Sequence, residues 1–248
     1  MIMRDIEKYT KDYLCDGFEN VMVFYRKKKV FEFLDKYQPK NVLEIGCGLV
    51  SVFEEYKKFN NFVVVEPSTV FCDQVKKSQH FTNKVEVIND FFENKIEYLS
   101  KKNFDFIICS SLLHEVPDPN VFLKGMRQIC SNDTIVHINV PNSESFHFLL
   151  ALESNIIEKL GVMSELRKKM QTNTVFDIKK LKNIAIKQNF NVIESGSYFI
   201  KLFNYTKMRK ALDVNIFDPQ ILDGLYGLSR YFPKNGAEIF VNCRKKQQ

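Results

Sequence analysis

Hydrophobic and polar positions change their rhythm twice along the chain. In the first stretch Val21, Val23, Phe24, Val30, Phe31 and Leu34 recur at helical spacing, with Arg26–Lys29 on the polar side, which predicts helix over residues 3–37. Pro39 and Lys40 end it. From there short apolar runs alternate with helical patterns. Asn41–Ile45, Phe62–Val65, Val85–Ile88, Asp105–Cys109 and Thr134–Val140 read as strands, and Leu49–Phe59, Val70–Ser78 and Val121–Cys130 as helices. Strands that are apolar on both faces, separated by helices, predict a parallel sheet covered on both sides.

After Asn142 the rhythm loosens. Glu144–Lys169 reads as mostly helical and Asp177–Gln188 as a cleaner helix. Phe190–Phe203 is β-rich and broken near Ser195 and Gly196, Tyr205–Tyr231 is helical with a break at Pro219, and Ala237–Cys243 is a last strand. The predicted fold is an α/β, Rossmann-like doubly wound sheet of seven strands, mostly parallel with an antiparallel last strand. Residues 1–38 would form a helical cap on a domain spanning 39–248. Helical insertions at about 143–176 and 204–232 would cover a ligand crevice as lids.

Composition narrows the class. The 248 residues are 45% hydrophobic, enough for a sizeable core, and carry a net charge of +6. Basic clusters at Arg26–Lys29, Arg167–Lys169 and Arg244–Lys246 are interspersed with acids, which suits solvated faces or an anionic small partner better than a nucleic-acid groove. Cys15, Cys47, Cys72, Cys109, Cys130 and Cys243 are scattered without a C-x-x-C pair, which fits reduced thiols in a cytoplasmic protein and argues against a metal centre. The start lacks the apolar core of a signal peptide, and no apolar run is long enough to insert in a membrane.

Candidate chemistry gathers where the strands end, because ligands of open α/β sheets bind past the carboxyl ends of their strands. Those ends hold Glu44 to Gly48, Glu66, Asp90, Ser110 to His114 and Asn139 to Asn142. Gly46 and Gly48 make a tight turn, and Glu66 stands twenty residues after Gly46, a spacing suited to ribose hydroxyls. A dinucleotide would want a third glycine where Ser51 stands, and Glu44 would repel its pyrophosphate. A cationic nucleoside ligand would be favoured by the same acid.

These segments together resemble the class I S-adenosylmethionine-dependent methyltransferases. The match lies in V-L-E-I-G-C-G (Val42–Gly48), V-V-V-E-P-S (Val63–Ser68), I-N-D-F (Ile88–Phe91) and the stretch Phe104–Asp118, and it covers roughly residues 40–142. The resemblance implies S-adenosylmethionine as cofactor, with S-adenosylhomocysteine as product. Gly46, Cys47 and Gly48 would approach it, with Glu44 near the methionine ammonium. Glu66 and Pro67 would lie at the ribose, Asp90 and Phe91 at the adenine, and Ser110 under the methionine moiety. One departure is Val50, where family members often have a small residue, and it bears on how the helix after the turn begins. A looser likeness, to bacterial methyltransferases of sugars and small metabolites, rests on Phe18, Glu19, Arg26, Val140–Asn142 and Lys201.

His114 is the candidate general base, since an alcohol acceptor gains from a group that takes its proton. Glu115 beside it reads as an orienting acid or a helix-start residue. Arg26, Asn142, His147 and Lys201 are candidate acceptor contacts, each with an ordinary structural reading beside it. His137, inside a strand, reads as a satisfied core histidine. Tyr9, Tyr13 and Phe18 would cover the cofactor or fill the core. Three functions stay open: O- or N-methylation of a small, polar, anionic or sugar-like acceptor by a monomer or homodimer; modification of RNA or protein; and cofactor binding without turnover.

Overall fold

A computed structural model of the chain describes residues 5–13, 18–163, 168 and 171–247, without the side chains at 9 and 11–13. The strands are β1 (Asn41–Ile45), β2 (Asn61–Val65), β3 (Val85–Ile88), β4 (Phe106–Ser110), β5 (Ile135–Pro141), β6 (Phe190–Tyr198) and β7 (Glu238–Lys245). They form one sheet in the order β3-β2-β1-β4-β5-β7-β6. All neighbours pair in parallel except β7, which runs antiparallel to both β5 and β6. Both the seven strands and the antiparallel last strand are as the sequence predicts.

Successive side chains of a strand point to opposite faces, so each buried strand feeds two cores. Leu43, Ile45, Ile107, Cys109, Val136 and Ile138 pack on one face with α5 (Pro119–Gln128) and α7 (Ile178–Lys187). Val42, Phe62, Phe106 and Ile108 pack on the other with α2 (Glu19–Tyr37) and with α8 (Tyr205–Asp213) and α9 (Pro219–Gly227). The caps follow the sequence: Asp118, Asp177, Asn204 and Asp218 each accept from a backbone N–H in the first turn of their helix.

Residues 3–37 hold α1 (Ile6–Tyr13) and α2, with 14–17, Cys15 among them, outside the described set. Three expectations need correction. Leu49–Phe59 contains only a 3₁₀ turn at Val52–Glu54 instead of an α-helix. Among the described residues Glu144–Lys169 contains α6 (Phe146–Glu153) and no longer helix; 164–167, 169 and 170 lie outside that set. β6 runs on through Gly196, its irregularity falling at Val192 and Glu194. The sequence reading also passed over a 3₁₀ turn at Phe92–Lys95 and the short α4 (Ile96–Leu99) between β3 and β4. No helix among the described residues is long and apolar enough to cross a membrane.

Candidate active site

The chain reverses its direction of growth between β1 and β4, so the carboxyl ends of these neighbours open the crevice. Gly46 and Gly48 follow β1 with φ of +77° and +58°, a left-handed backbone that glycine adopts without strain. A Cβ on Gly46 would meet Leu112 Cδ2 at 3.4 Å, so the turn and the loop after β4 lie in contact.

Glu44 is 3% exposed at the end of β1. Its carboxylate accepts from the Ser51 hydroxyl and, at 3.1 Å, from the Val52 N–H. These bonds draw Ser51 into extended backbone, which is why the helical pattern there shrinks to a 3₁₀ turn. Burial pushes the Glu44 carboxyl up to about 7, while the nearby Lys27 ammonium acts in the opposite sense. Lys27 reaches the site from α2, and burial lowers its own pKa while Glu44 raises it. Its role was not read from the sequence, because Lys27 sits inside a basic run that looks solvated.

Glu66, 2% exposed at the end of β2, accepts from Cys47 N–H at 3.1 Å and Ser68 N–H at 2.9 Å. One carboxylate thus bridges the glycine turn and the start of α3 (Thr69–Lys76). Ser68 caps that helix and meets Thr10 of α1 at 2.9 Å, which brings the N-terminal segment over this edge. The Cys47 thiol is driven well upward by burial and then by Glu66, so it stays neutral. The Pro67 carbonyl accepts from Asn89 at 3.0 Å. After β3, Asp90 accepts from the Phe91 N–H at 2.8 Å and from Asn94 at 2.7 Å, and pairs with Lys95 at 3.0 Å. The Asn94 bond leads in holding its carboxyl below the usual range.

The loop after β4 is held from β5. Ser110 Oγ lies 3.0 Å from Asn139 Nδ2, and Ser111, at φ +52°, donates its N–H to Asn139 Oδ1 at 2.7 Å. His114 is 8% exposed, with Nε2 at 3.5 Å from a Glu115 carboxylate oxygen. Its carbonyl accepts from the N–H groups of Asn173 and Thr174, at 2.8 and 3.0 Å. The end of the 143–176 stretch therefore lies across this loop.

The other candidates are held by partners of their own. Arg26 grips Glu238, with Nε–Oε1 at 2.9 Å and Nη2–Oε1 at 2.5 Å, and reaches Glu19 at 3.0 Å. Tyr198 and Tyr205 donate to the same two carboxylates at 2.6 and 2.8 Å. Arg26 is thus a buried ion-pair hub at the β5–β7–β6 end. Lys201, also buried, lies 4.1 Å over the Tyr205 ring. Asn142 donates to the Lys234 and Gly236 carbonyls, each at 2.9 Å, and accepts from Glu144 N–H at 3.0 Å, so its amide ties two loops together. His147 lies 2.8 Å from Ser145, and its ring is tilted against that of Phe148 with centroids 4.1 Å apart. Phe18 is core, against Phe199 and Tyr205; Tyr9 and Tyr13 have side chains outside the described set. His137 is a satisfied core histidine, 2.8 Å from Asn242 Oδ1.

Three carboxylates on successive strand ends, a glycine turn, and no α-helix directly after it suit a nucleoside ligand with positive charge. They do not suit a pyrophosphate, which wants a helix N-terminus. Surface hollows lie at the opposite edge of the sheet, one of them against Asn41, Asn61 and Phe104, remote from this chemistry.

Residues 19–195 match the family described as a methyltransferase domain. No curated protein matches the chain. The plantazolicin methyltransferase BamL, solved with a triazolic desmethylPZN analogue and S-adenosylhomocysteine, is similar at TM-score 0.61 and 16% identity, over 97% of this chain and 91% of that one. A Thermotoga maritima S-adenosylmethionine-dependent methyltransferase, described as a possible histamine N-methyltransferase, is similar at 0.57 and 19%, over 92% and 95%. A Haloferax volcanii complex of the Trm112 methyltransferase activator with a putative methyltransferase is similar at 0.62 and 12%, over all of both chains. At these identities the solved structures bear on the fold. The family match spans most of the chain, and the chain belongs to the methyltransferase domain family, as a class I S-adenosylmethionine-dependent methyltransferase.

Proposed function

We propose that this methyltransferase acts on an oxygen of a small polar acceptor, a sugar or a phosphorylated or nucleotide-linked metabolite of cell-surface or secondary metabolism. The observation that carries the reading is the acid row around the glycine turn, beside a loop that presents His114 at the end of β4. In this reading Glu66 takes the ribose hydroxyls, Asp90 and Phe91 the adenine, Glu44 the cationic amino-acid end, and Ser110 the methionine chain. Cofactor, when bound, supplies a methyl group on a sulfonium. The acceptor oxygen bonds to that carbon as its bond to sulfur breaks, and the hydroxyl proton passes to His114. Glu115, 3.5 Å from Nε2, steadies the imidazolium that forms. The small acceptor is in keeping with α6, α8 and α9, which follow β5 and β6 as helical inserts.

The test is S-adenosylhomocysteine release with pooled sugars, sugar phosphates and small amines, comparing wild type with His114→Ala. Loss of on the order of a hundredfold in turnover, with cofactor affinity kept, is expected of a general base. Equal turnover in the variant removes His114 from the chemistry, and turnover on amines alone moves the reading to nitrogen. A second reading, macromolecule modification with an activator subunit, draws support from the Haloferax complex; salt-sensitive binding to RNA would favour it.

A further inference from the structure

A row of polar side chains, buried in its middle and open at its Glu194 end, crosses the sheet on the face beneath α2. Glu194 of β6 stands opposite Asn242 of β7, Asn242 opposite His137 of β5, and Asn139, two residues on, opposite Ser110 of β4. Asn242 Nδ2 is 3.4 Å from Glu194 Oε2, Asn242 Oδ1 is 2.8 Å from His137 Nδ1, and Asn139 Nδ2 is 3.2 Å from His137 Nε2. Lys36 of α2 pairs with Glu194 at 2.7 Å. His137, Asn139 and Asn242 are each 0% exposed, and the imidazole is flanked by Phe33, Phe106 and Phe240.

The row has a direction. A carboxylate only accepts, so Glu194 turns the amide N–H of Asn242 toward itself and the amide oxygen toward His137. That oxygen needs a donor, which sets the proton of His137 on Nδ1 and leaves Nε2 as an acceptor. Asn139 must then donate to Nε2, and its own oxygen is left facing Ser111 N–H and Ser110. Ser111 N–H only donates, so the far end makes the same demand independently. We propose that this row sets the hydrogen-bond polarity at the loop after β4, which makes Asn139 a positioning residue for the cofactor site. Through Ser111 in its left-handed conformation, Asn139 fixes Leu112 against the Gly46 turn. The inference rests on the loop bordering the cofactor, as in the proposed function, and needs neither His114 as base nor any particular acceptor.

The direction makes the test specific. Asn139→Asp keeps the acceptor for Ser111 but cannot donate to His137. With the imidazole neutral the row would have to reverse, which would turn Asn242 Oδ1 onto the Glu194 carboxylate. Glu194→Gln supplies the donor that the reversed row needs. S-adenosylhomocysteine affinity is measured by calorimetry on the full chain in wild type, both single variants and the double variant. Asn139→Asp is expected to weaken binding about tenfold or more, Glu194→Gln to change it less than about threefold, and the pair to recover most of the loss. Nitrogen-15 spectra of the imidazole give a second reading without any ligand: Nδ1–H in wild type and Nε2–H in the double variant. Additive losses in the cycle overturn the proposal, and so does an Nε2–H tautomer in wild type. If wild type itself fails to bind S-adenosylhomocysteine, the cofactor assignment falls, and the tautomer spectra still decide the row. If Asn139→Asp does not fold, the wild-type tautomer decides alone.

Discussion

Glu44 and His137 are both shut away from water, one beneath the glycine turn and the other inside β5. Burial raises the Glu44 carboxyl from 4.5 to about 7, so the folded protein holds that proton more tightly than the unfolded chain. Its contribution to stability is full below pH 4.5 and is lost as pH rises through 7. Burial lowers His137 from 6.5 to about 4, so the unfolded chain holds that proton more tightly. Its contribution is full above pH 6.5 and is lost as pH falls through 4. Between pH 4.5 and 6.5 the two slopes oppose one another, each about 1.4 kcal/mol per pH unit. Glu44→Gln is therefore expected to uncover the His137 slope, with urea midpoints that climb across this window more steeply than in wild type. Parallel profiles for the two proteins would contradict the assignment. His137 was readable as a core histidine from its place in an apolar run. Asn139 and Asn242 carried a fainter sign: lone polar residues in buried strands, with His137 and Asn139 sharing one face of β5. Arg26 misled, because an arginine in a basic run reads as solvated until its two acids arrive from distant parts of the chain.

Elements were legible wherever their cause was local. Apolar strands and the break at Pro219 announce themselves within a few residues, and Pro219 proves to open α9. The stretch after β1 was misread because its cause lies outside it: helical periodicity loses to a buried carboxylate that claims Ser51 and Val52 N–H. The short α4 was missed for want of length. A second close contact shows at the entry to β7, where a Cβ on Gly236 would stand 2.4 Å from Tyr198 N and 2.5 Å from its carbonyl oxygen. Backbone cannot step aside as a flexible side chain does. Gly236 also donates to Ser197 Oγ at 2.9 Å and accepts from Asn142. Gly236→Ala is expected to destabilise the fold by roughly 2 kcal/mol or more, read from urea unfolding. Gly224→Ala, where nothing lies within 4 Å, is the control, and it should raise stability slightly by restricting the unfolded chain. An equal loss in both variants would show that packing at Gly236 is not the cause.

For the whole molecule, α2, β6, β7 and α8 are joined through one buried charge cluster. Arg26 comes from α2, Glu238 from β7 and Tyr198 from β6, and Tyr205 reaches Glu19 from α8. Removing the arginine would leave two acids with no such partner, which commonly destabilises by about 3–5 kcal/mol. Arg26→Ala is expected to show that loss in urea unfolding, with part of it recovered by adding Glu238→Gln. Lysine in place of Arg26 should not restore it, because a single ammonium cannot match the two-pronged grip. Full additivity of the two changes would mean the pair does not couple. The antiparallel strand that supplies Glu238 also carries Asn242, and it lies between β5 and β6 although it follows both in sequence. On the ribosome, then, β5 and β6 are made before the strand that separates them, and the apolar flank of Val136, Ile138 and Val140 must wait for it. Until β7 emerges, the nascent protein presents an open sheet edge that a chaperone, or a second unfinished chain, is free to occupy.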